Sequence, residues 1–544
     1  MPPLAHPRAP HAAVLLAVLA APALGESLHE RIDRAVAAGE KDFDKLSAAP
    51  ASDAEFLRRI TLDLTGTIPT AADARAFLKD PSPDKRARLI DRLLASPEYA
   101  RHMQDVFDVL LMERRPDKNV PRAAWQEYLR ASFADNKPWD VLVREILSAD
   151  GADPKTRPAA KFLLDRDAEP NLSTRDVGRL FLGMNLQCAQ CHDHPLVAHY
   201  RQADYYGIFA FLSRTLAFAD KAKGITVLAE KAEGETTYQS VFDPKKETKK
   251  TPPVVPGGQA VVEPVLEKGK EYEVAPAAGV RPVPKFSRRA RLAGQVAARD
   301  NERFRRNIAN RLWALPMGRG LVHPLDLDHP DNPPSHPELL ALLADEIAAM
   351  KFDVRGFLRE IALSKTYQRS SALPPGANEV SPTSMTVARL KPLSPEQLAR
   401  SLMQATGLTD AERMALGRGA TEAALSARLA GNVAPFVAAF GGKPGQSQDN
   451  FEATLDQALF LSNGKLVRSW LAPRAGNLTD RLATLKEANA VAEELYLSVL
   501  TRMPTDEERQ EVAACLKGHE ADRTAALQEL AWALLASAEF RFNH

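Results

Sequence analysis

Cysteine is scarce, with 3 residues in 544, and that is too few for the disulfide-dense scaffold of small secreted domains. Excess charge is scarce as well: 71 Lys plus Arg stand against 70 Asp plus Glu. The balance excludes a nucleic-acid binder driven by bulk positive charge and a disordered acidic tail. Aromatic residues make up 6% of the chain, yet 45% of it is apolar, which suits a folded protein. No short-period repeat occurs, so a solenoid is excluded. Long hydrophobic runs are missing beyond the N-terminus, and no membrane span is expected after residue 25. What the chain does have is length and 40 prolines. A chain of 544 residues exceeds what one core usually organises, so two or more globular units are expected.

Residues 1–25 read as a secretory signal. Arg8 and His11 give a weakly positive start, residues 12–21 (AAVLLAVLAA) are apolar, and Ala21-Pro22-Ala23 is a small-x-small cleavage site. The run is shorter than the ~20 residues that span a bilayer. The expectation is an exported protein, periplasmic or at the cell surface, beginning near Leu24 to Ser27.

From residue 52 to about 212 the chain reads as short amphipathic helices. Ser52 with Glu55 predicts a capping box, followed by Phe56, Leu57, Ile60 and Leu64 on one face and Gly66 as the stop. Thr70 predicts another start. Ser82-Pro83 and Ser96-Pro97 predict N-caps with a proline at the first helical position, and Ser173 predicts a further cap. Residues 216–285 lose helical periodicity and gather Pro, Gly and Lys, with short strands expected over 225–231 and 236–242. Helical periodicity returns near residue 290 and continues to the end. The predicted fold is mainly α: a helical domain over 26–215, a linker with a small β element over 216–285, and a second helical domain over 286–544.

The chemical information lies in Cys188-Ala189-Gln190-Cys191-His192-Asp193-His194-Pro195. In c-type haem attachment two thiols add to the porphyrin vinyl groups, and the next residue's imidazole is brought beneath the iron. Cys188, Cys191 and His192 meet that demand, and an exported chain meets the cellular one. Met184, His199, Met317, His323 and His336 are the candidates for the opposite axial position. Tyr205, Tyr206, Ile208, Phe209 and Phe211 form a dense apolar stretch that serves either as a haem wall or as plain core. Other readings remain open. Zinc or another divalent metal would use Cys188, Cys191, His192, Asp193, His194 and His199, although the second C-x-x-C of structural zinc sites is missing. A redox dithiol and a structural disulfide are the remaining two. Cys515 reads as a buried free thiol.

Several longer segments resemble a known pair of domains. FLRRITLDLTG (56–66), IPT (68–70), LLASPEY (93–99) and FLG (181–183), leading into residues 188–195, are similar to the PSCyt-type domain of planctomycete and related bacterial secreted proteins. NIANRLW (307–313), GRGLV (318–322), NPPSHPELL (332–340), SKTYQRS (364–370), LSPEQL (393–398), QAL (457–459) and EFRFNH (539–544) resemble its companion, the PSD-type domain. The resemblance implies association with cytochromes, by name and domain company, and no defined activity. Longer members carry an added cytochrome-like domain, for which residues 27–52 are too short and lack cysteine. The expected function is c-type haem binding with an electron-transfer or redox role and a redox partner protein. The alternatives are a metal-dependent extracellular enzyme acting on polysaccharide, a substrate suggested by the habit of such organisms, and a non-catalytic surface or assembly protein. Nucleic acid is not an expected partner.

Overall fold

The computed structural model describes residues 25–448 and 454–544. The signal segment read over 1–25 lies outside them but for Gly25. The chain is mainly helical, and its strands pair only in short two-stranded sheets.

Two of the predicted caps form as read. Thr70 accepts from the Asp73 amide to open Ala71–Lys79, and Ser96 accepts from the Tyr99 amide with Pro97 in the first turn of Pro97–Met112. Three caps differ from the sequence reading. Ser52 accepts from the Glu55 amide, but the Glu55 carboxylate turns away to Arg59, Ser370 and Ser371 rather than closing a capping box. Asp84, not Ser82, precedes the helix Lys85–Leu94. The helix Pro170–Leu182 is capped by Glu169, whose carboxylate accepts from the Asn171 and Leu172 amides, while Ser173 is buried inside it. At Ser173 the Glu169 carboxylate takes the free amides first, and at Ser52 longer-range partners take the Glu55 side chain.

Two apolar cores organise the helices. The larger takes in Leu142, Phe181 and Phe211 from before residue 216 together with Leu292, Trp313 and Phe357 from after residue 285. The helix Arg288–Val296 packs on Trp139–Ser148 and on Gln202–Leu212, which is how the Pro-rich and Lys-rich stretch returns the chain to the same core. The smaller core gathers Leu398, Leu402, Phe436, Trp470, Leu495, Leu527 and Phe540. The change of core along the chain therefore falls near residue 390, and residues 216–285 lie on the flank of one packed body.

The helix Asp53–Thr65 is buried on more than the predicted face because it serves both cores. Phe56, Leu57, Ile60 and Leu64 enter the larger one and Leu62 the smaller. The expected strands are present as Ile225–Glu230, paired with Thr215–Asp220, and Thr236–Tyr238, paired with Lys249–Thr251. Against the expectation that no segment after residue 25 is long and apolar enough to span, the helix Glu422–Phe440 has the length and composition to do so, with mean hydropathy 1.3. One stripe of it, Leu425, Leu429, Val433 and Phe436, packs into the smaller core.

Candidate functional site

The C-x-x-C-H segment sits where a helix stops abruptly. Pro170–Leu182 ends at Gly183, whose φ of 68° suits glycine, and the Met184 amide returns to the Gly178 carbonyl at 2.9 Å. Leu186 and Ala189 are fully buried and anchor the 3-10 turn Cys188–Gln190 from below. Cys188 and Cys191 are left exposed, and both are free thiols. The Tyr206 hydroxyl donates to the Gln190 carbonyl at 3.0 Å, and the Gln190 side chain donates to Asn171 at 3.2 Å. The turn is thus tied to the helices before and after it.

The neighbouring groups divide into bound and free. His192 Nδ1 lies 2.6 Å from the Asp193 carbonyl oxygen, which can only accept, so Nδ1 is the donor and Nε2 is the nitrogen turned to other partners. Asp193 Oδ1 accepts from the Gln202 amide at 2.8 Å and so caps the helix Gln202–Leu212. His194 Nδ1 accepts from the amides of Leu196 and Val197 at 3.2 and 3.0 Å. The His194 ring meets Tyr200 edge-on, and Tyr200 meets His329, whose imidazole is held below its usual pKa by burial. His199 is exposed.

Exposed apolar side chains flank the cysteine turn. The Val241 amide donates to the Cys191 carbonyl at 3.0 Å, the Phe242 ring lies 4.6 Å from the His192 ring, and Leu196 follows His194 by two residues. These three side chains are 65%, 74% and 84% exposed, so they form apolar surface with nothing packed on it. The stretch expected as wall or core resolves as core: Tyr205, Ile208 and Phe211 are fully buried, and Tyr206 stacks on Tyr238 at 4.4 Å. Of the five axial candidates, Met184, Met317 and His336 are buried and His323 lines a cleft that the two cysteines do not line, whereas His199 is exposed on the same loop. Among the described residues, no three His, Cys, Asp or Glu side chains are gathered to hold a metal ion. Cys515 is free and half-buried against the smaller core.

Sequence reasoning missed a second site, a cleft of about 580 Å3 lined by residues of both cores. Its best-ordered feature is Asp63, which accepts from the Tyr367 hydroxyl at 2.8 Å, from Asn543 Nδ2 at 2.7 Å and from Lys391 Nζ. Lys391 also donates to the carbonyls of Leu315 and Pro316 at 3.1 and 2.8 Å. Burial pushes the Asp63 carboxyl up, against the pull of the Lys391 ammonium. Several segments named above converge here, including those around Asp63, Arg311, Gly318, Tyr367, Glu396 and Asn543. No local pattern joins them, so only the fold reveals the site.

Residues 31–217 match the family described as PSCyt2, Protein of unknown function (DUF1549), and residues 288–516 match PSD1, Protein of unknown function (DUF1553). No curated protein and no solved structure matches the chain.

Proposed function

We propose that this chain, which joins a PSCyt2 domain to a PSD1 domain, carries a c-type haem on its Cys188–Cys191 turn and acts outside the cytoplasm as an electron-transfer or redox protein. The observation that carries the reading is the coincidence of two exposed free thiols, a His192 ring whose Nδ1 is held by a carbonyl, and the exposed apolar side chains of Val241 and Phe242 beside them. Each thiol would add its S–H across one vinyl double bond, so no group leaves and the two sulfurs become thioethers. His192 is the residue to ligate the iron through Nε2, and the Asp193 carbonyl fixes its tautomer and ring orientation. Bound haem supplies one-electron exchange with a partner protein.

The same geometry favours haem over zinc. Asp193 already caps a helix with one carboxylate oxygen, and one nitrogen of His194 already serves two backbone amides. The apolar run over residues 12–21 supports export. The test of the ligand assignment is spectroscopic. In protein exported by a host that matures c-type cytochromes, His192→Ala should keep covalent pigment but shift its absorption bands. A pigment spectrum identical to that of the unaltered protein would contradict the role given to His192. A colourless protein with stoichiometric zinc would favour the metal reading instead.

A further inference from the structure

The cleft between the two cores carries positive charge that its own lining does not neutralise. Most of its cations are paired: Arg114 with Glu396 at 2.6 and 3.1 Å, Arg179 with Glu113 at 2.6 Å, Arg311 with Asp326 at 2.7 Å, and Lys391 with Asp63. Arg319 and Arg389 line the same cleft and have no carboxylate partner among the described residues. The half-buried Arg319 side chain makes no hydrogen bond or ion pair among the described residues. Among the described residues Arg389 donates only to the Pro382 carbonyl, and burial first and the like charge of Arg319 second disfavour its charged form.

The backbone holds this pair in place. Gly318 has φ 76°, and a Cβ there would lie 2.6 Å from Lys391 Cγ; a Cβ at Gly320 would lie 2.5 Å from both Leu325 Cδ2 and the Val322 oxygen. Tight packing on both sides of Arg319 thus fixes the strand of chain that presents it, while Arg389 arrives from the segment that carries Lys391. Between them in sequence terms, Leu390 also lines the cleft yet is 60% exposed. Met103, Val106, Leu110 and Phe440 add further apolar lining. Two guanidinium forks facing the same space match the oxygens of a carboxylate, sulfate or phosphate, and a cavity of this size suits a small molecule.

We infer that the cleft binds a small organic anion, with its carboxylate, sulfate or phosphate group held by Arg319 and Arg389 and its apolar body inside the cleft. Cys188 and Cys191 do not line this space, so the inference stands independently of haem.

The test uses the full chain and the dye 1-anilinonaphthalene-8-sulfonate, an anion on an apolar body, with the neutral N-phenyl-1-naphthylamine as control. The sulfonate dye should bind one per chain, and added sulfate, phosphate or acetate should displace it, the strongest competitor identifying the preferred oxyanion. Arg319→Gln with Arg389→Gln should weaken it by about tenfold or more, as expected for losing charge-assisted hydrogen bonds, while the neutral dye binds as before. Leu390→Glu is a second variant at an exposed position where folding is not at stake. It supplies the missing carboxylate and should weaken the sulfonate dye selectively. Undiminished affinity for the sulfonate dye in either variant, or no displacement by any of the three anions, would overturn the inference.

Discussion

Arg58 donates to the carbonyl of Phe540, 482 residues away in sequence, at 2.9 Å, and its guanidinium carbon stands 5.5 Å from the centre of that residue's ring. A second guanidinium nitrogen donates to the Val499 carbonyl at 3.1 Å. The side chain is fully buried, and burial lowers its pKa to about 10, which leaves it charged at neutral pH. Arg58 therefore belongs to a helix of the larger core and closes hydrogen bonds in the smaller one. Replacing it with Ala should cost about 2–5 kcal/mol, because two carbonyls lose their donor and a cavity opens. Urea unfolding followed by circular dichroism should show the smaller core melting ahead of the larger. An unchanged single transition would contradict this coupling.

A second prediction concerns the segment between the two family matches. Residues 245–250 are exposed and carry four lysines, so trypsin should nick the chain there early. Because the larger core draws side chains from both sides of the cut, the fragments should stay together in native gel filtration and part only in denaturant. Separation under native conditions would show that residues 216–285 join two independent bodies.

The third prediction is a pH dependence. His102 is buried, and loss of solvent is the first cause holding its pKa down to about 3, against an ordinary value of 6.5. Between these two values the unfolded chain binds a proton that the folded one refuses. Its contribution is thus fully present above about pH 6.5 and is lost progressively as pH falls toward 3. Glu508, held low chiefly by the hydrogen bond from Arg502, adds acid sensitivity only below its own range near 4.5. His102→Gln should flatten the stability profile between pH 4.5 and 6.5 in urea titrations. A slope equal to that of the unaltered protein would place the acid response elsewhere.

What could be read in advance follows from how local each signal is. The Cys188 to His192 run is contiguous, and its turn forms where a helix ends on Gly183. Caps such as Thr70 and Ser96 are equally local, and they form as read. The cap at Ser173 was misplaced because Glu169, three residues earlier than Leu172, reaches the free amides first. The Glu55 side chain was misassigned because Ser370 and Ser371, far along the chain, compete for it. The cleft was invisible for the same reason in stronger form: Asp63, Tyr367, Lys391 and Asn543 come from four separate segments. The exposed apolar side chains of Val241 and Phe242 were also hidden, since they reach the cysteine turn through tertiary contacts, the Val241 amide with the Cys191 carbonyl and the Phe242 ring with His192.

The central claim is the covalent haem on Cys188 and Cys191, and the mass of the denatured protein tests it most directly. The full chain should be expressed with export in a host that matures c-type cytochromes, purified, denatured in acid and weighed intact. The denatured chain should carry the added mass of one haem that acid-acetone does not remove, absent when Cys188 and Cys191 are both replaced by Ser. Unmodified mass with both thiols still free, or joined as a disulfide, would contradict it.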